Sequence, residues 1–193
     1  MNWIENLLII AGISLDIFAS MECHGSLVAK IEKKQLLFLG LLVSLWQLAA
    51  LYIGSFLSGL LVQKDGIAAN EQLIGGVLAA AIFIGLGIRL VAKAIKNERI
   101  QEHRQDGIVI RKVCYMLATA GIYTVLAGVA FGFVESELVF DLIAIVCCSL
   151  LAVIAGIYTG YHFGFEQKRK AYAAGAALLF FAGADIIVRH IIF

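Results

Sequence analysis

Six long apolar runs, separated by polar connections, leave this chain little choice of solvent. They cover about 3–22, 35–62, 73–94, 113–134, 138–163 and 171–193. A helix that crosses a bilayer needs about 20 mostly apolar residues, and each run supplies them. None alternates with period two, so the runs are not barrel strands. Hydrophobic residues make up 62% of the 193 and charged residues 15%, against about 45–50% and 25% in soluble domains. The expected fold is all-α: a polytopic protein of the lipid bilayer with six transmembrane helices. No Lys or Arg precedes the first run, so that run is expected to be a span and not a cleavable signal. Proline is absent and glycine occurs 19 times, which suits helices packed closely through small residues.

The net charge of +1 gives no reason to expect nucleic acid as a partner. Cys23, Cys114, Cys147 and Cys148 lack zinc-finger spacing and lie in or beside apolar runs, where they read as small packing residues. No nucleophile–base pair, phosphate loop or cofactor motif is present, so an enzyme is not expected.

Basic residues predict the orientation. Lys30, Lys33 and Lys34 lie in the first connection. Lys93, Lys96, Arg99, Arg104, Arg111 and Lys112 flank or occupy the third, and Lys168, Arg169 and Lys170 the fifth. The second and fourth share only Lys64. The odd connections are therefore expected in the cytoplasm and both termini outside.

The charged stretch 98–112 divides the chain into 1–97 and 113–193, each with three spans. An odd number of spans per half gives the halves opposite orientation. Three short matches recur in the same order: Ile13–Asp16 with Ala120–Tyr123, Tyr52–Gly54 with Tyr158–Gly160, and Gly87–Lys93 with Gly183–Arg189. They predict two inverted three-helix repeats within one transmembrane domain, with substrate bound between them near mid-depth.

Asp16 is the residue on which a functional reading turns. It is the sole charge between Glu5 and Glu22 in the first run. A carboxylate near the bilayer centre costs about 3 kcal/mol on insertion scales, so it faces the bundle interior and marks a candidate ion path. Ser20 and Cys23 follow at i+4 and i+7 on the same face. Asp185 is a second intramembrane acid that could join Asp16 or pair with a base. Arg89, one turn before Lys93, either snorkels to the interface or neutralises an acid. Tyr123 is the predicted repeat partner of Asp16, and Gln47 offers a neutral carbonyl oxygen. Glu22, Cys23 and His24 could each bind a transition metal. Successive helical residues point about 100° apart, so they reach one ion only if the helix unwinds, for example at Gly25. Gly156, Gly160 and Gly164 mark a close-packing helix face, which would also suit a homodimer contact.

The run Gly12–Ser20 resembles the first-helix signature of the bacterial manganese efflux pumps (MntP-type) of the lysine-exporter superfamily. The similarity extends through Gly40-Leu41-Leu42, Ile53-Gly54, Ile84-Gly85, Gly128 and Arg189-His190. It implies six helices in two inverted repeats, a bacterial plasma (inner) membrane location and outward export of Mn²⁺ or a related divalent cation, with no resident cofactor. This chain departs from the family where a helix-four aspartate is replaced by Tyr123 and a helix-two carboxylate by Gln47. The expectation is thus a divalent-cation exporter working by alternating access through Asp16. Two alternatives stand beside it: an exporter of a small zwitterionic solute such as an amino acid, and a non-transporting membrane protein whose ion site has decayed.

Overall fold

Backbone amides have no water to bond inside a bilayer, and a helix satisfies them within its own segment. The computed structural model follows that rule and describes residues 3–28, 32–65, 71–96, 110–134, 138–164 and 166–189. Its six helices are α1 (Trp3–Leu27), α2 (Lys33–Asp65), α3 (Glu71–Ile95), α4 (Ile110–Phe133), α5 (Leu138–Phe163) and α6 (Lys168–Ile187). All six are long and apolar enough to cross a membrane. The helices overrun several apolar borders read from sequence. α1 continues through Glu22, Cys23, His24 and Gly25 without a break, because i→i−4 bonding does not depend on side-chain polarity. Of the charged connection 98–112, the part up to 109 lies outside the described residues.

Each helix packs chiefly on helices of the other half. α1 lies against α5 and α6, α2 against α4 and α5, and α3 against α6 and α4. Glycine sets the closest of these approaches. A Cβ on Gly160 of α5 would run into the Glu22 carbonyl oxygen and lie 2.9 Å from the Ser26 nitrogen of α1. A Cβ on Gly54 of α2 would meet the Val125 carbonyl oxygen and lie 2.9 Å from the Val129 nitrogen of α4. Gly25 and Gly128 repeat the arrangement from the opposite side, against the Ile157 and Leu51 carbonyls. Backbones this close leave no room for any side chain. Trp46, which reads as packing in the sequence, also donates its indole N–H to the Leu117 carbonyl at 2.9 Å, tying α2 to α4.

The buried core is aliphatic and aromatic, with Phe83 and Phe131 edge to face at 5.7 Å between centroids. Large apolar side chains also cover the outside, among them Leu37, Phe38, Leu45, Val139, Ile143 and Leu151. In water such a surface would drive aggregation; in lipid it is the solvated face. Buried polar residues lie inside. Asn6 donates its amide to Asp141 at 2.9 Å between α1 and α5, a pair the sequence reading did not anticipate because Asp141 stood at the border of a polar connection.

The backbone contacts give a direct expectation. Gly54→Ala should lower stability by about 1–3 kcal/mol, the usual cost of overpacking. Gly59→Ala, where a Cβ meets nothing within 4 Å, should be neutral or stabilising by up to about 1 kcal/mol from helix propensity. Thermal unfolding in detergent compares the two, and equal effects would remove the close-approach role of Gly54.

Candidate functional site

Asp16 is 6% exposed on the inner face of α1. Helix α3 brings two cations to it. Arg89 donates through Nη1 to Oδ2 at 3.1 Å, and Lys93 donates through Nζ to Oδ1 at 2.6 Å. Their i,i+4 spacing puts both on one face of α3. The carboxylate thus meets one cation on each oxygen. In the sequence Arg89 reads as a candidate partner and Lys93 as a residue of the membrane border. The signal was present in the spacing, since a four-carbon stem one turn along the helix reaches the same carboxylate.

Aromatic rings hold the cations from the other side. The Arg89 guanidinium carbon lies 3.1 Å from the Tyr123 ring centroid, on α4. The Lys93 ammonium lies 5.3 Å from the Tyr172 ring, on α6. Both distances are within cation–π range. Tyr123 therefore joins the site through Arg89.

Asp16, Arg89, Tyr123 and Gln47 line one cavity together with Ile13, Leu86 and Leu179. Its volume is about 20 Å³, room for one water molecule or a bare ion. Gln47 is fully buried on α2, and neither its amide nitrogen nor its amide oxygen has a hydrogen-bond partner. A buried amide left in that state is costly.

The other candidates are placed differently. Ser20 donates its hydroxyl to the Asp16 backbone carbonyl at 2.8 Å and lies 3.4 Å from the Tyr172 hydroxyl. Neither contact involves the Asp16 carboxylate. Asp185 is not part of the cavity. It pairs at 2.9 Å with Arg189, which also reaches Glu5 of α1 at 2.7 Å. Its side chain is 39% exposed where that of Asp16 is 8%, so it sits in a surface network joining α6 to α1.

Glu22 has a structural task. Its Oε1 accepts the Gln167 backbone N–H at 2.9 Å. Gln167 is the N-cap of α6 and makes no side-chain cap of its own. A carboxylate from α1 therefore supplies the cap, where the helix dipole also favours negative charge. Because α1 stays helical, Glu22, Cys23 and His24 point in different directions. Among the described residues no group of three or more His, Cys, Asp or Glu is arranged to hold a metal ion.

A family model described as "Putative manganese efflux pump" matches residues 30–187. The chain is 26% identical to the "Putative manganese efflux pump MntP" of Citrobacter koseri, over 98% of both chains. It is 26% identical to the protein of that name from Clostridium botulinum strain Loch Maree, over 98% of this chain and 96% of the other. The Acetivibrio thermocellus protein of that name is 25% identical, over 99% and 93%. No solved structure matches the chain.

The triad makes a stability test available. Asp16→Asn leaves Arg89 and Lys93 beside a neutral amide. Breaking a fully buried pair costs about 3–5 kcal/mol. The two cationic side chains are 21% and 32% exposed, so a smaller loss of about 1–3 kcal/mol is expected after screening. Adding Lys93→Met should recover part of it in a detergent melt. An unchanged melting temperature for Asp16→Asn would mean that these ion pairs contribute no stability.

Proposed function

From the premise that the chain belongs to the manganese efflux pump family, we propose that it exports a divalent, manganese-like cation across the bacterial plasma membrane, with Asp16 as the cargo carboxylate. The observation that carries this reading is the cavity itself. A buried carboxylate already receives the Arg89 guanidinium there, beside an unpartnered amide, in a space with room for one small ion. Carboxylate and amide oxygens are the donors a hard cation such as Mn²⁺ prefers. The metal is cargo, so nothing resident is required.

Alternating access needs two arrangements of the bundle around one site. The matched glycine contacts support an inverted repeat able to provide them. Gly160 against Glu22 and Ser26 reproduces Gly54 against Val125 and Val129, pairing α1 with α4 and α2 with α5. This register pairs Gly25 with Gly128, Asp16 with Thr119 and Ser20 with Tyr123. It differs by one helical turn from the pairing of Asp16 with Tyr123 suggested by short sequence matches. Membership of the lysine-exporter superfamily belongs to the same proposal. So does the orientation with both termini outside, argued from the basic connections. A contact between two copies would have to use another face than Gly156 and Gly160, which α1 covers, while Gly164 lies past the end of α5 with nothing near it.

A second reading is favoured by the charge of the site. Asp16 with Arg89 and Lys93 carries a net +1, which suits a carboxylate-bearing zwitterion better than a dication. The volume of the cavity in this arrangement favours the ion.

Cells lacking the gene should accumulate manganese and grow poorly in excess Mn²⁺. The unchanged chain should reverse both effects, while Asp16→Asn, made at equal abundance in the membrane, should not. Amino-acid accumulation with normal metal content would transfer the assignment to the zwitterion. Orientation is tested in a cysteine-free background, where a membrane-impermeant thiol reagent added outside should label a cysteine at position 65 and spare one at position 33.

A further inference from the structure

Two cations on one carboxylate are more than charge balance requires, and they are not held alike. The Arg89 guanidinium is fixed at a second point, against the Tyr123 ring at 3.1 Å. Its five donors form a planar fork that stays ordered when so stacked. The Lys93 ammonium is 5.3 Å from its ring, Tyr172, and its side chain is the more exposed, at 32% against 21%. It is a point charge on a flexible stem. Of the two partners, Lys93 is the one built to leave.

It also occupies one of the two carboxylate oxygens that a cargo ion would need. Nζ lies 2.6 Å from Asp16 Oδ1 while Arg89 holds Oδ2. Lys93 does not line the cavity and meets Oδ1 from outside it, so what keeps an ammonium and a metal cation from sharing that oxygen is the repulsion of like charges at contact distance. With Lys93 in place the triad carries +1 and repels a dication; with Lys93 withdrawn, Asp16 and Arg89 are neutral together and one carboxylate oxygen is open.

We propose that Lys93 is a tethered counter-ion of the cargo site, which occupies Asp16 when the site is empty and is displaced by the arriving cation. This rests on the assignment of Asp16 as a cation ligand and goes beyond it by naming what the cation competes with. Lys93 lies one turn nearer than Arg89 to the end of α3 from which cargo would enter. Its displacement admits the ion from that side. Its return to Asp16 promotes release on the other side and leaves the empty site with its carboxylate neutralised.

The test is Mn²⁺ binding to the purified full chain in detergent, read by calorimetry or by the electron paramagnetic resonance signal of free Mn²⁺. Lys93→Met keeps the stem and removes the competitor, so it should bind Mn²⁺ at least about tenfold more tightly than the unchanged chain, as expected when a like charge is removed from beside the ion. Loss of a merely structural contact would not raise affinity. Lys93→Arg keeps the charge in a more strongly held form and should bind more weakly than the unchanged chain; it serves as the deciding variant if Lys93→Met does not fold. Asp16→Asn should bind nothing. Equal affinity of the unchanged chain and the Lys93 variants, with binding still lost in Asp16→Asn, overturns the counter-ion role and leaves the cargo assignment standing. No Mn²⁺ binding by any variant, Lys93→Met included, overturns both.

Discussion

The charge on Asp16, held away from water, must be answered by charge from within the bundle. Arg89 and Lys93 answer it from α3, Tyr123 of α4 braces the first, and Tyr172 of α6 faces the second. One carboxylate on α1 thereby engages three other helices. In a low-dielectric interior these attractions are much stronger than in water, and so is the penalty for leaving any member alone. The result is a buried group that ties α1 to its neighbours and that, in the function proposed above, also offers an oxygen to the cargo cation. That double role explains why stability and ion binding are expected to move together when Asp16 changes, and in opposite directions when Lys93 does.

The ion triad can form only because the helices around it come close. Close approach depends on glycine at a few positions and not on large side chains. Gly25, Gly156 and Gly160 seat α1 on α5, and Gly54 and Gly128 seat α2 on α4. In lipid the apolar surfaces gain little by leaving their solvent, so association relies on packing at short range. The two seams use equivalent backbone contacts. α3, which carries Arg89 and Lys93, and α6, which carries Tyr172, lie against each other and against α4 and α1 respectively. An arrangement in which each half packs mainly on the other is suited to motion of one half against the other around a fixed carboxylate.

Polar residues near the helix ends serve the frame. Glu22 caps α6 from α1, Arg189 links Asp185 to Glu5, and Asn6 bonds Asp141. Each joins α1 to a helix of the other half. A metal-ligating residue type at a membrane border is thus weak evidence of a metal site: the orphan N–H groups of a helix start are enough to occupy a carboxylate.

The sequence by itself determined the solvent, the number of spans and the identity of the central acid. Those features rest on run length and on the cost of an isolated charge in lipid, and neither depends on which helices touch. The borders of α5 were legible to the residue because polarity and helix end coincide there; the C-terminal border of α1 was not, because the helix continues through Glu22-Cys23-His24-Gly25. Tertiary structure alone decided the partners. Arg89 was legible as a candidate for Asp16. The reach of Lys93 to the same carboxylate, the unpartnered amide of Gln47, the exclusion of Asp185 and the capping role of Glu22 were not. All depend on the rotation and sliding of one helix against another. A shift of one turn, about 5.4 Å, leaves an apolar pattern unchanged but exchanges every polar contact, and the backbone approaches at a handful of glycines are what fix it.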